Sequence, residues 1–164
     1  MSCAVLYKSK YGTTKLYAGW TALKLGADLY ELSDFNINDI NFYDTIIFGL
    51  PVYMDKVKGI DFLVKNCNKF KDKEVILFTI GAKSYKHIYQ EELKNIKKFH
   101  FRGKIDFNEL NIKDKILLYN LKDKMNVKKI LLDEEREFLD FIKKQENLIN
   151  KSNVNEIIEF IESV

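Results

Sequence analysis

The chain has 164 residues, 46% of them hydrophobic, a formal net charge of +3 and only two cysteines, Cys3 and Cys67. This length fits a single domain, residues 1–164, with a sizeable core. The weak positive charge argues against a nucleic-acid binder, and no apolar run is long enough to span a membrane. The cysteines lack C-x-x-C and zinc spacings, so we expect reduced thiols in a cytoplasmic protein. The N-terminus lacks a basic region and a long apolar region, so a secretory signal is not expected.

The chain opens with a short apolar strand at residues 4–7, followed by a loop of small and hydroxylic residues and then a helix. Ser9, Thr13 and Thr14 offer hydroxyl donors, and Gly12 allows the main chain to approach an anion closely. A strand, a loop with free N–H groups and a helix N-terminus together favour a phosphate-binding site. Neither G-x-x-x-x-G-K-[ST] nor G-x-G-x-x-G is present, which argues against a P-loop or a nicotinamide-binding Rossmann protein.

Strands and helices alternate through the first hundred residues. Further strands are predicted at residues 28–32, 45–49, 74–79 and 98–102. Helices are predicted at residues 13–26, 58–70 and 86–96. The central strands are apolar throughout, which is typical of a parallel sheet covered by helices on both faces. Ligands of such sheets bind beyond the carboxyl ends of the strands, where the loops 9–14, 50–57 and 80–85 are expected.

The pattern changes after residue 103. A lysine-rich amphipathic helix is predicted at residues 112–125, a second short helix is predicted at residues 134–142, and a last helix begins near Asn153. Asn153 and Glu156 have the spacing of a capping box. A five-stranded doubly wound sheet needs only the last helix after its fifth strand. Residues 104–150 are therefore predicted to be an addition to the domain.

The three loops resemble those of flavodoxin-like FMN proteins. They read S-x-x-G-T-T after the first strand, G-x-P-V-Y after the third and T-x-G-A after the fourth. The resemblance implies an α/β fold with a flavodoxin-like doubly wound five-stranded parallel sheet, order 2-1-3-4-5, and helices on both faces. It also implies a redox protein that transfers electrons through non-covalently bound FMN, with redox partner proteins and no catalytic side chain of its own.

By this resemblance, FMN is bound by residues of all three loops. The implied residues are Ser9, Lys10, Tyr11, Gly12, Thr13, Thr14, Pro51, Val52, Tyr53, Met54, Thr79, Gly81, Ala82 and Lys83. Tyr53 is expected to stack on the flavin ring, while Tyr85, His87 or Tyr89 would cover the second face. A metal site is not expected, because His87 and His100 are the only histidines and have no paired spacing.

Three alternatives stay open from the sequence. The segment Arg102-Gly103-Lys104-Ile105-Asp106-Phe107 and the basic helix at 112–124 are similar to those of menaquinone-linked protoporphyrinogen dehydrogenases. This similarity implies a flavin-dependent dehydrogenase with a quinone acceptor. The basic amphipathic stretch 112–129 predicts either a peripheral membrane contact or a helix packed on the sheet with solvated lysines. Tyr11 and Asp55 stand where relatives often have Thr or Ser and Gly, which leaves an FMN-free interaction module as the third alternative.

Overall fold

In a computed structural model that describes residues 2–83 and 91–164, five parallel strands form the centre of the molecule. The parallel strands are β1 (Cys3–Tyr7), β2 (Asp28–Glu31), β3 (Thr45–Tyr53), β5 (Glu74–Gly81) and β6 (Lys97–Arg102), and the short strand β4 (Lys56–Val57) is antiparallel to β3. The parallel strands lie in the order β2-β1-β3-β5-β6, and β4 only pairs with the end of β3. Counted without β4, this is the predicted order 2-1-3-4-5, and the flavodoxin-like fold is confirmed.

Helices cover the sheet and extend beyond it. They are α1 (Thr13–Leu25), α2 (Ile60–Lys65), α3 (Ile112–Asn126), α4 (Asp133–Lys144) and α5 (Val154–Glu162). Short 3-10 turns occupy Ile37–Phe42, Cys67–Phe70, Glu91–Leu93 and Lys151–Asn153. The helix predicted at 58–70 is thus a short helix followed by a 3-10 turn, and residues 84–90 of the predicted 86–96 helix lie outside the described residues.

The apolar strands bury their two faces against different helices. On one face, Leu6, Phe48 and Leu77 pack in a cluster that includes Leu63 of α2. On the other face, Val5, Ile47 and Ile76 share a cluster with residues of α1 and α5. Within β1, β3 and β5, successive side chains point to opposite faces, and both faces are covered. This arrangement explains why the sequence of these strands is apolar without alternation.

The capping box predicted for the last helix is wrong. Asn153 has helical backbone angles and makes no side-chain cap, because the 3-10 turn Lys151–Asn153 runs directly into α5. The side chain of Asn150 caps that turn instead, its Oδ1 accepting from the N–H of Ser152 at 3.0 Å. The Asn153 side chain donates from Nδ2 to the hydroxyl oxygen of Tyr17 at 3.3 Å. Asn153 therefore ties α5 to α1 rather than capping its own helix.

The chain leaves the sheet after β6 and returns next to the point of departure. The N–H of Ile105 donates to the carbonyl of Glu146, and the N–H of Leu148 donates to the carbonyl of Gly103, both at 3.0 Å between N and O. Between these contacts, α3 and α4 pack around a third apolar cluster that includes Met125. Within the described residues, no helix is long and apolar enough to cross a membrane.

Candidate functional site

A cavity of about 800 Å³ lies at the carboxyl ends of β1, β3 and β5. The predicted cofactor residues that line it are Ser9, Lys10, Tyr11, Thr13, Thr14, Pro51, Val52, Tyr53, Met54, Gly81, Ala82 and Lys83. Gly12 and Thr79 do not line it. The structure therefore brings residues of all three predicted loops together around one space. The three candidates for covering the second flavin face, Tyr85, His87 and Tyr89, lie outside the described residues.

The loop between β1 and α1 presents free backbone donors. Gly12, which directly precedes the helix, has a φ of 89°, a left-handed conformation that favours glycine. Its N–H donates to the hydroxyl oxygen of Ser9 at 3.0 Å and so fixes the turn. Among the hydrogen bonds of the described residues, the amides of Lys10, Tyr11, Thr13 and Thr14 have no protein acceptor. The positive end of α1 and these amides together form a cradle for an anion.

The hydroxyl of Thr14 strengthens this interpretation. Thr14 is only 2% exposed, yet in the part of the chain that the structure describes its hydroxyl has no hydrogen-bond partner. A buried polar group without a partner costs free energy, about 1–3 kcal/mol in mutational data. Thr21 on the same helix is equally buried, but its hydroxyl donates to the carbonyl of Tyr17 at 2.9 Å. The unpaired donor of Thr14 therefore sits at the one end of α1 where an anion would satisfy it.

The second loop is shorter than predicted, because β3 does not stop at Gly49. It continues through Pro51 to Tyr53 and turns back into β4. The turn residues Met54 and Asp55 both have positive φ, 53° and 58°. This is the conformation of the tight hairpin turns that match the twist of antiparallel strands. The predicted loop at 50–57 is thus a hairpin, and its rigid strand end carries Tyr53.

The third loop is fixed by two side chains from β6. His100 contacts the hydroxyl of Thr79 through Nδ1 at 2.8 Å and the carbonyl of Lys83 through Nε2 at 2.7 Å. Burial lowers the pKa of His100 below its usual value, although the Lys83 carbonyl opposes this shift. A neutral ring that donates from Nε2 and accepts at Nδ1 satisfies both contacts. Arg102 donates from Nε and Nη2 to the carbonyl of Ala82 at 3.1 and 2.9 Å. Thr79 therefore supports the loop from behind rather than facing the cavity.

Besides the three loops, α3 and α4 line the cavity, although the sequence did not predict them as part of the site. α3 and α4 contribute apolar side chains to it, namely Leu117, Leu118, Leu121, Met125 and Phe138. Lys124 and Lys128 also line the cavity on this side. The amphipathic helix predicted at 112–125 thus turns part of its apolar surface toward the cavity, whereas Ile112 and Ile116 are exposed.

Asp114, in the first turn of α3, connects this wall to the loops. It is the only charged side chain that is buried in the described part of the chain. Its carboxylate accepts hydrogen bonds from the hydroxyl of Tyr53 at 2.5 Å and from the hydroxyl of Tyr11. The ammonium of Lys10 lies 2.7 Å from its Oδ2. This role has little signal in the sequence, since Asp114 is one acidic residue in a lysine-rich helix, about a hundred positions from Tyr11.

The charges in this cluster shift one another's pKa values. Burial alone would raise the pKa of Asp114, but the hydrogen bonds from Lys10, Tyr11 and Tyr53 outweigh burial and lower it. The hydrogen bond to Asp114 and burial raise the pKa of Tyr53. Burial and the same carboxylate raise the pKa of Tyr11. At neutral pH the cluster therefore contains an ionised aspartate, a charged lysine and two neutral tyrosines.

The described residues contain no group of His, Cys, Asp and Glu side chains that could hold a metal ion. Both cysteines are free thiols, and burial raises the pKa of the Cys3 thiol to about 11.

A doubly wound parallel sheet whose strand ends carry an anion cradle and an aromatic-walled cavity defines a flavodoxin-like α/β protein. The model of the flavodoxin domain family matches residues 4–130, and the chain belongs to this family. The chain is also similar in structure to a flavodoxin of Megasphaera elsdenii, solved in the two-electron reduced form. That similarity has a TM-score of 0.50 and 18% identity, and it covers 87% of this chain and 98% of the other.

A flavodoxin from the domain Archaea gives a TM-score of 0.53 at 13% identity, covering 88% of this chain and 98% of that one. At these identities the structural likeness supports the fold alone. The search of curated proteins finds no matching sequence.

Proposed function

We propose that this protein binds FMN non-covalently in the cavity at the strand ends and transfers electrons through it. The observation that carries the proposal is the anion cradle at the start of α1, with the unpaired, buried hydroxyl of Thr14 at its centre. Bound FMN would supply reversible electron acceptance, which no side chain in the described cavity can provide. The residues that line the cavity fit both ends of such a molecule, a charged phosphate and a flat aromatic ring.

The phosphate end would be held mainly by neutral donors. The amides of Tyr11, Thr13 and Thr14 and the hydroxyl of Thr14 are available, and hydrogen bonds to a charged group contribute about 1.5–3 kcal/mol each. The charge of Lys10 is already balanced by Asp114 at 2.7 Å. Its attraction for a phosphate is correspondingly reduced. We therefore expect affinity to depend more on the loop backbone and on Thr14 than on Lys10.

The ring end would lie against Tyr53 and the loop that contains Gly81 and Ala82. An offset-stacked aromatic pair contributes roughly 0.5–1.5 kcal/mol beyond its buried area. The apolar side chains of α3 and α4 close the cavity opposite the strand ends and reduce the access of water. The role of this chain's residues is thus to bind, orient and shield the redox group.

The first experiment is a titration of the purified protein with FMN and with riboflavin, followed by flavin fluorescence. We expect stoichiometric binding of FMN and much weaker binding of riboflavin, which lacks the phosphate. Tyr53→Ala should weaken both ligands about two- to tenfold, the value expected for one aromatic stack. Tyr119→Ala is the matched control, because Tyr119 lies on the outer side of α3, half exposed and packed on Phe107. A colourless protein that leaves the fluorescence of added FMN unchanged would refute FMN binding and favour the interaction module.

A second candidate is a flavin-dependent dehydrogenase of the protoporphyrinogen oxidase type with a quinone acceptor. The wall formed by α3 and α4 supports it, because an enclosed apolar space beside the flavin suits a small-molecule substrate. The test is anaerobic mixing of the FMN-loaded protein with protoporphyrinogen, followed by a menaquinone analogue, with the flavin absorbance as readout. Bleaching by the substrate and recovery with the quinone support the enzyme. Unchanged flavin absorbance would argue against the dehydrogenase and favour the electron carrier.

A membrane contact through residues 112–129 is part of this second candidate. Ile112, Ile116 and Val127 are exposed at 75%, 56% and 81%, among lysines, so the outer side of α3 offers both apolar and cationic groups. Co-sedimentation with vesicles that contain anionic lipid, at low salt, tests it. Ile112→Ser combined with Ile116→Ser should abolish the binding. If the unaltered protein does not sediment with the vesicles, the proposed membrane contact is wrong.

A further inference from the structure

The buried carboxylate of Asp114 joins three segments that are far apart in the sequence. Lys10 and Tyr11 belong to the loop before α1, Tyr53 ends β3, and Asp114 itself lies in the first turn of α3. Asp114 is 4% exposed, and burial of a carboxylate is costly unless it is fully hydrogen-bonded. Here three donors satisfy it, two hydroxyls and one ammonium. The carboxylate is therefore a polar contact that holds the start of α3 against both the loop before α1 and the end of β3.

The start of α3 is built to present this carboxylate. Asn111 caps the helix, its Oδ1 accepting from the N–H of Asp114 at 2.8 Å. The N–H of Asn111 in turn donates to the hydroxyl oxygen of Tyr11 at 3.3 Å. The Tyr11 hydroxyl thus accepts from one residue of this turn and donates to another. Its position explains why a tyrosine, rather than a shorter hydroxyl residue, stands in the loop, since only the longer side chain reaches α3.

The same cluster constrains the ring of Tyr53. The hydroxyl of Tyr53 is fixed by Asp114, and the ammonium of Lys10 lies 4.2 Å from the ring centroid. A tyrosine ring on a strand end would otherwise rotate about its side-chain torsions. With its hydroxyl anchored and a cation over one face, the ring is held in one orientation beside the cavity.

We propose that Asp114 is a positioning residue, which sets the orientation of the Tyr53 ring and holds α3 closed over the cavity. The part of this inference that concerns the flavin rests on the proposed function. The part that concerns α3 does not, because the contacts exist within the chain itself.

Hydrogen exchange of the FMN-free protein tests the anchoring of α3. Asp114→Asn removes the charge that pairs with Lys10, and its amide cannot accept from all three donors. We expect amides of residues 111–126 to exchange at least about fivefold faster, since local opening follows the stability of the local contacts. Asp123→Asn, the same change at an exposed position of the same helix, should have no such effect. Unchanged exchange in Asp114→Asn would overturn the anchoring.

A double-mutant cycle with FMN tests the positioning of the ring. Asp114→Asn and Tyr53→Phe both remove the hydrogen bond between the Tyr53 hydroxyl and the Asp114 carboxylate. Both variants keep an aromatic ring at position 53. Each substitution should lower the affinity for FMN about tenfold or less. Each should also change the visible circular dichroism of the bound flavin in the same direction. The double variant should change the circular dichroism by less than the sum of the two single changes, since the effects of substitutions at contacting residues are not additive. Additive spectral effects, or tighter FMN binding by Asp114→Asn because of lost repulsion from the phosphate, would overturn the proposal.

The two experiments separate the failure of this inference from failure of the proposed function. If the unaltered protein binds no FMN, the proposed function fails, and hydrogen exchange still decides whether Asp114 anchors α3. If Asp114→Asn does not fold, as judged by far-ultraviolet circular dichroism, Tyr53→Phe and Tyr11→Phe each remove one of the three donors and leave the carboxylate with two. Faster exchange of α3 in those variants supports the anchor, and unchanged exchange in both overturns it.

Discussion

Replacing Thr14 by valine should have opposite effects on stability and on ligand binding. Valine keeps the branched shape of threonine but removes the hydroxyl, which is buried and unpaired among the described residues. The FMN-free protein should gain about 1–2 kcal/mol in the free energy of unfolding, because the cost of an unsatisfied buried group disappears. FMN should bind about 10- to 100-fold more weakly, since one hydrogen bond to a charged group is worth about 1.5–3 kcal/mol.

Urea unfolding of the FMN-free protein and fluorescence titration with FMN and riboflavin measure the two effects. Riboflavin affinity should stay unchanged, because riboflavin lacks the phosphate that the hydroxyl of Thr14 would contact. Thr21→Val is the matched control on the same helix. Its hydroxyl is equally buried but donates to the carbonyl of Tyr17 at 2.9 Å, so its loss should bring no gain in stability and leave FMN affinity unchanged.

Either of two results would contradict this role of the Thr14 hydroxyl. If Thr14→Val destabilises the FMN-free protein as much as Thr21→Val does, the hydroxyl of Thr14 is not an unsatisfied buried group. If it weakens FMN and riboflavin equally, the hydroxyl does not act on the phosphate.

Three further outcomes follow from the core and from the loops. Gly49→Ala should lower the free energy of unfolding by about 1–3 kcal/mol or more, as overpacking of a core does, because the added Cβ would lie 2.3 Å from Cζ of Phe78; an unchanged urea midpoint would contradict this. Burial lowers the pKa of His100, so the unfolded chain binds a proton at this residue more readily than the folded chain does. The contribution of neutral His100 to the free energy of unfolding is therefore fully present above about pH 6.5 and decreases as the pH falls below that value. His100→Gln should flatten that part of a urea-unfolding profile between pH 5 and 7.5, and a profile of unchanged slope would count against a partly buried, neutral ring. A thiol reagent at pH 7.5 should label Cys67 and spare buried Cys3, whose pKa is raised to about 11; mass spectrometry of the labelled peptides decides, and rapid labelling of Cys3 would show that β1 opens readily.

The sheet was predictable from sequence because its physical cause is local. Residues such as Ile46, Ile47 and Phe48 are buried on both faces of β3, and an uninterrupted apolar run is what that environment requires. The turn between β1 and α1 was predictable for a similar reason, since its glycine and its hydroxyl residues are neighbours in the chain. Both features depend on short stretches of sequence whose residue types are restricted.

The errors arose where distant segments decide the structure. Asn153 has the sequence of a helix cap, but its side chain bonds to Tyr17, which lies 136 positions away. The extension of β3 past Gly49 to Tyr53 is a different, local case: the strand turns back at Met54 and Asp55, whose positive φ angles the residue types do not predict. Asp114 was missed because nothing near it marks it as buried. Its environment is made by Lys10, Tyr11 and Tyr53, and spacing along the chain carries no information on such a meeting.

The adjacent backbone hydrogen bonds of Gly103 with Leu148 and of Ile105 with Glu146 have an engineering consequence. They form the neck of a long excursion whose two ends lie side by side, so a short turn could replace everything between them without stretching the strand before it. The segment between residues 105 and 146 could then be deleted, or grafted onto another sheet of this topology. Its contribution to the cavity wall would be transferred with it.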